Sequence, residues 1–230
     1  MNNSESLLKV VDIHKSFYDS KRRVDVLKGV NLKVNNGETV SIMGVSGSGK
    51  TTLLQIVGSL DKPTSGDVLF KGESIFNKSD SELSAFRNAN IGFIFQAHHL
   101  LMEFDIVENV MFPAIIAGMN RKMAQEKAIT LLKDVGFIEK ITNKPSELSG
   151  GEQQKVAVAR ALIMSPPLVL ADEPTGNLDS HSGEIIMNLL LQFNKTIGIT
   201  IIMVTHNETF AKMMLKRYRI SDGVLFQIAD

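Results

Sequence analysis

Residue type and spacing point most directly to chemistry in the run Gly44-Val45-Ser46-Gly47-Ser48-Gly49-Lys50-Thr51, followed by Thr52. Its glycines let the backbone turn sharply, so successive N–H groups can converge on one anion. Lys50 supplies a mobile cation, and the Thr51 hydroxyl suits Mg²⁺. The spacing G-x-x-x-x-G-K-[ST] is that of a loop cradling the phosphates of a nucleotide such as ATP. Thr39-Val40-Ser41-Ile42-Met43 before it reads as a strand, and Thr52-Leu53-Leu54-Gln55-Ile56-Val57 after it reads as a helix whose N-terminal dipole favours negative charge. Four fixed positions match by chance in a chain of 230 residues about 1% of the time, so an ordinary glycine-rich turn is the weaker explanation.

Three more apolar runs stop at polar residues. Leu168-Val169-Leu170-Ala171 meets Asp172 and Glu173. Asp172 is placed to hold Mg²⁺, directly or through water. Glu173 is placed to polarise a water for attack on the γ-phosphate, work typically worth ~10²–10⁴-fold in rate. Alone, Asp-Glu-Pro would be a polar strand end; beside a phosphate loop, the chemical reading prevails. Ile91-Gly92-Phe93-Ile94-Phe95 meets Gln96, and Thr200-Ile201-Ile202-Met203-Val204 meets Thr205 and His206. A single Gln or His carries little information. Their shared place at strand ends assigns Gln96 and His206 to the surroundings of the metal and the γ-phosphate.

A second anion site is expected at Leu148-Ser149-Gly150-Gly151-Glu152. Ser149 and Glu152 match a capping box at a helix start. Two consecutive glycines cost helix stability and make sense where a ligand approaches the backbone closely. With two such helix starts and one Lys-bearing loop, a head-to-tail dimer is the simple solution. Each ATP then lies between the Lys50 loop of one chain and Ser149, Gly150 and Gly151 of the other.

The elements that must position these residues follow from the apolar pattern. Short, almost continuous apolar segments rich in β-branched residues read as parallel strands covered on both faces, the habit of an α/β protein. In such sheets ligands sit beyond the strands' carboxyl ends, where all four polar steps lie. Leu7 to Val40 alternates apolar and polar residues around a Lys21-Arg22-Arg23 tip and predicts an antiparallel β layer, the tip a solvated turn. From Ala97 to Pro145 the pattern turns helical. Ala124, Ala128, Leu131, Leu132 and Val135 share a face, and Gly136 suits the position after a helix end. With the turn that follows, this predicts a helical subdomain over about residues 97–155, inserted in one domain of 1–230.

Composition excludes several classes. Hydrophobic residues are 43% and charged residues 22%, enough for a substantial core. Lys plus Arg and Asp plus Glu are 25 each, and this zero net charge argues against a nucleic-acid partner. With no cysteine, disulfides, thiolate zinc sites and cysteine nucleophiles are ruled out, and a reducing compartment fits. No apolar run approaches the ~20 residues that span a bilayer, and the start lacks signal-peptide order. Work at a membrane would therefore go through a partner.

On these motifs the chain resembles an ATP-binding-cassette (ABC) ATPase subunit along nearly its whole length. Gly44–Thr51 is similar to that family's Walker A loop, Gln96 to its Q-loop, and Leu148–Glu152 to its signature. Leu168–Asp172 is similar to Walker B with Glu173 as catalytic glutamate, Asn177-Leu178-Asp179 to the D-loop, and His206 to the switch histidine. The resemblance implies an α/β P-loop NTPase fold of the ABC type. It also implies ATP and Mg²⁺ as cofactors, a homodimer that closes on ATP, and integral-membrane permease partners. The site would lie at the cytoplasmic face of an inner membrane. An aromatic residue near the N-terminus stacks on adenine in this family; Phe17 matches by register, and Tyr18 is the alternative. Phe95 to Leu101, Phe104 and Glu108-Asn109-Val110 are similar to lipoprotein-releasing (Lol-type) ATPases. Pro174–Asp179 is shared with macrolide-exporter-like and FtsE-like cell-division relatives. His98-His99 reads as a fold or partner contact rather than a metal site. Asn207 stands where the family often has Asp, and Gln153-Gln154-Lys155 replaces a more arginine-rich run.

Overall fold

The computed structural model describes residues 6–19, 22–137 and 141–228. Two sheets organise the chain. The first is antiparallel, built from β1 (Ser6–Asp19), β2 (Arg22–Asn35), β4 (Ser65–Phe70) and β5 (Glu73–Ser74) in the order β2-β1-β4-β5. The antiparallel expectation over Leu7–Val40 holds for β1 and β2. It needs two corrections: Val40 belongs to the other sheet, and the layer is completed by β4 and β5, which are too short to show a period. Lys21 lies outside the described residues, whereas Arg22 and Arg23 are exposed at the start of β2.

The second sheet has the order β10-β9-β3-β8-β7-β6. Its strands β3 (Thr39–Met43), β6 (Ile91–Phe95), β7 (Leu168–Asp172) and β8 (Thr200–Thr205) are the four expected ones, and all pair in parallel. β9 (Lys216–Ser221) extends the sheet in parallel beside β3, and β10 (Val224–Ile228) closes it antiparallel. Sequence patterning missed this last pair because their faces are largely half-exposed. Two buried layers explain the continuous apolar runs. Val169, Ala171, Ile201 and Met203 face one core, whereas Leu168, Leu170, Ile202 and Val204 face the other.

The first core is closed by α3 (Ile106–Ile116), α4 (Arg121–Asp134), α5 (Gly150–Leu162) and α6 (Ser180–Ile197). The other is closed by the antiparallel sheet with α1 (Lys50–Val57) and α2 (Asp80–Asn90). In α4, Ala124, Ala128 and Leu132 are the buried stripe, and Gly136 follows at φ 91°. A short helix, α7 (Glu208–Ala211), is capped by Asn207, whose side-chain oxygen accepts from the Thr209 and Phe210 amides. The register pairs Phe95 with Asp172, Asp172 with Val204 and Met43 with Thr205. The carboxyl ends of four strands therefore meet along one edge.

Candidate functional site

At that edge lies a cavity of about 660 Å³. Ser46, Gly47, Gly49, Lys50, Thr51 and Thr52 line one side, and Gln96, Asp172, Glu173 and His206 line another. Val26, from β2, closes it. The helix begins at Lys50, two residues earlier than expected. Gly49, at φ 101°, is the residue before the helix, and glycine adopts this left-handed conformation without the cost a side chain would carry.

Lys50 is buried, and its ammonium donates to the carbonyls of Gly44 (2.8 Å) and Val45 (2.9 Å), which ties the loop around it. Ser48 Oγ is buried with no hydrogen-bond partner among the described residues. Leaving such a hydroxyl unsatisfied costs ~1–3 kcal/mol, and Ser48 is not among the residues that line the cavity. Thr51 Oγ1 donates to Asp172 Oδ1 at 3.2 Å. Burial pushes the Asp172 carboxyl above its ordinary range; the Thr51 bond and Lys50 oppose this, while Glu173 adds to it. A hydroxyl and a partly desolvated carboxylate held together are the hard oxygen donors Mg²⁺ takes alongside nucleotide phosphates. Among the described residues no group of three or more His, Asp or Glu comes together in a way that could hold a metal ion.

Glu173 sits at φ 47°, a left-handed conformation that costs a non-glycine residue energy and is common at functional sites. Its amide donates to Val204 O (3.0 Å), which anchors the turn to β8. The carboxylate accepts from the His206 amide (3.3 Å), and its Oε1 lies 3.0 Å from His206 Nδ1. Gln96 Nε2 donates to Asn177 Oδ1 (2.9 Å), and Asn177 Nδ2 donates to Gln96 O (3.1 Å).

Ser149 caps α5 as expected: its Oγ accepts from the Glu152 amide (3.3 Å) and its own amide donates to Glu152 Oε2 (2.9 Å). Ser149 and Gly150 are exposed, and neither they nor Gly151 line the cavity. Phe17 is 46% exposed, with the Lys15 ammonium 4.9 Å from its ring centre, and Tyr18 is 73% exposed. Neither aromatic ring lines the cavity. Arg160 donates to His98 O and His99 O (both 2.6 Å), holding a turn in which both histidines have positive φ. These bonds engage the backbone of the pair, while the His99 ring packs edge-on against Phe95 at 5.1 Å.

Sequence reasoning missed three contributors. Val26 gives no signal beyond an apolar strand position. Asn177 was legible as a motif, but not as the partner of Gln96. Gln154 is fully buried and donates to Pro174 O (2.6 Å), tying α5 to the turn after Glu173. It stands in the polar run Gln153-Gln154-Lys155, where nothing marks one of the two glutamines as buried.

A phosphate loop, paired oxygen donors and an acid–imidazole pair at the carboxyl edge of a parallel sheet define a P-loop ATPase. The ABC transporter family model matches residues 27–176, and the chain belongs to that family of ATP-hydrolysing subunits. It is similar to the lipoprotein-releasing system ATP-binding protein LolD of Syntrophus aciditrophicus, 51% identical over 223 residues, covering 97% of this chain and 100% of that one. The LolD protein of Geobacter metallireducens is 52% identical over 218 residues, covering 95% and 97%. Among solved structures, a dimeric bacterial ABC transporter cassette superposes with a TM-score of 0.89 at 40% identity, covering 97% and 99%. A dimeric cassette in a post-hydrolysis state, bound to ADP and Pi, superposes at 0.88 with 39% identity and the same coverage.

Proposed function

We propose that this chain is the ATPase subunit of a membrane complex that releases lipoproteins, acting as a homodimer at the cytoplasmic face of an inner membrane. The observation that carries this reading is near end-to-end identity of about half with proteins named for lipoprotein release. FtsE-like and macrolide-exporter-like readings are not favoured by that match. No helix among the described residues is long and apolar enough to cross a membrane. Integral-membrane permease subunits of the Lol type are the partners that the lipoprotein-releasing relatives support.

Lys50 would bind the outer phosphates, with the amides of Gly47, Ser48 and Gly49 around them. Thr51, Asp172 and Gln96 would hold Mg²⁺, which when bound neutralises developing phosphate charge. Glu173 would take the proton of the attacking water, with His206 holding the carboxylate in place. Ser149, Gly150 and Gly151 of the second copy would close the site, and Phe17 or Tyr18 would carry the adenine.

The test is reconstitution. The chain is co-purified with its membrane partner, placed in proteoliposomes and loaded with a lipidated protein and ATP. ATP-dependent appearance of that protein in solution is expected. Hydrolysis without release, or a partner that binds cell-division proteins instead, overturns the reading.

A further inference from the structure

We infer that Asn177 is the positioning residue that decides which atom of Gln96 faces the nucleotide cavity; this rests on the proposed role of Gln96 toward Mg²⁺. An amide's two ends are nearly equivalent in shape, so a glutamine alone has little preference for presenting oxygen over nitrogen. Here a chain of donors removes the choice. The Gln96 backbone carbonyl can only accept, so the 3.1 Å bond turns Asn177 Nδ2 toward it. Asn177 Oδ1 is then the atom facing the Gln96 side chain, and an acceptor there demands Nε2, found at 2.9 Å. The Nε2 end is thus committed, and Oε1 is the end left for the cavity that Gln96 lines with Thr51 and Asp172. A hard cation, or the proton of a water, needs that oxygen.

Gly176 completes the seat. A Cβ there would lie 2.8 Å from Gln96 Nε2 and 3.1 Å from its Cδ, so the amide rests directly against the Gly176 backbone. An alanine at this position would displace the flexible tip of Gln96 without removing Asn177.

The experiment compares Gln96→Ala, Asn177→Ala, Gly176→Ala and the Gln96→Ala/Asn177→Ala double variant as full chains. Affinity for a fluorescent ATP analogue is measured in EDTA and in saturating Mg²⁺, beside kcat. In EDTA all four are expected to bind like the parent. In Mg²⁺, Asn177→Ala and Gly176→Ala are expected to lose three- to tenfold in affinity and kcat, and the double variant is expected to be no worse than Gln96→Ala. Parent-like behaviour of Asn177→Ala, a loss in EDTA as large as in Mg²⁺, or multiplied losses in the double variant overturn the inference while leaving the role of Gln96 intact. A Gln96→Ala variant indistinguishable from the parent overturns both.

Discussion

At the scale of single residues, the site is a set of side chains held in costly states. Glu173 carries a left-handed backbone and a carboxylate fastened to the amide and ring of His206. If it is the base, Glu173→Gln keeps the turn and its size but cannot take a proton. Turnover is then expected to fall by ~10²–10⁴-fold with nucleotide affinity within about twofold of the parent, checked by steady-state ATPase and direct binding. Asp172 illustrates the opposite trade. Its folded-state pKa lies above the ordinary aspartate value because burial penalises the charge. The native fold therefore binds this proton more readily than the unfolded chain. The associated stability is complete below the ordinary aspartate pKa and is lost as pH rises through the elevated value. Asp172→Asn should accordingly melt higher than the parent in EDTA at pH 7, with the gap closing at acidic pH. The variant should also lose the extra melting temperature that Mg²⁺ adds to ATP; thermal scans at several pH values check both.

Elements decide whether those residues meet. The start of α5 is the informative case, because one feature serves two purposes. Ser149 and Glu152 form the capping box that any stable helix could use. Gly150 has no such excuse: it is exposed, and a Cβ there would meet only Leu178 at 3.5 Å, an ordinary contact. Gly150→Ala should stabilise the isolated chain by about 0.4–1 kcal/mol through the unfolded state and helix propensity. If a phosphate approaches this backbone from a second copy, the same variant should lose most of its ATPase activity. A higher melting temperature with full activity would reduce the double glycine to a structural accident. The same scale explains what the apolar pattern could reveal. β3, β6, β7 and β8 were legible because burial between two cores leaves almost no polar position in them. β4, β5, β9 and β10 were not, because short or half-exposed strands lack that signature.

For the whole molecule, one chain holds the Lys50 loop in its cavity and leaves the Ser149 turn exposed outside it. A shared site between two copies predicts complementation. Lys50→Ala and Ser149→Arg chains should each be inactive alone. Mixed, they form dimers in which one site keeps Lys50 from one chain and Ser149 from the other, while the second site lacks both. Random pairing of independent sites should recover up to about a quarter of parent activity. Sites built within one chain would recover none.

The phosphate loop, the strand-end acids and the two-faced parallel sheet can all be read from the order of the amino acids. Each is a local signal, a fixed spacing or a period carried by neighbouring residues. The same order also exposes the capped glycine turn at Ser149. It takes the folded chain to reveal that Asn177 clasps Gln96 across 81 residues, that Thr51 reaches Asp172 across 121, and that Gln154 ties α5 to the turn after Glu173. The reason is physical: such bonds depend on strand order and register, which emerge from packing two cores at once and leave no periodic trace along the chain.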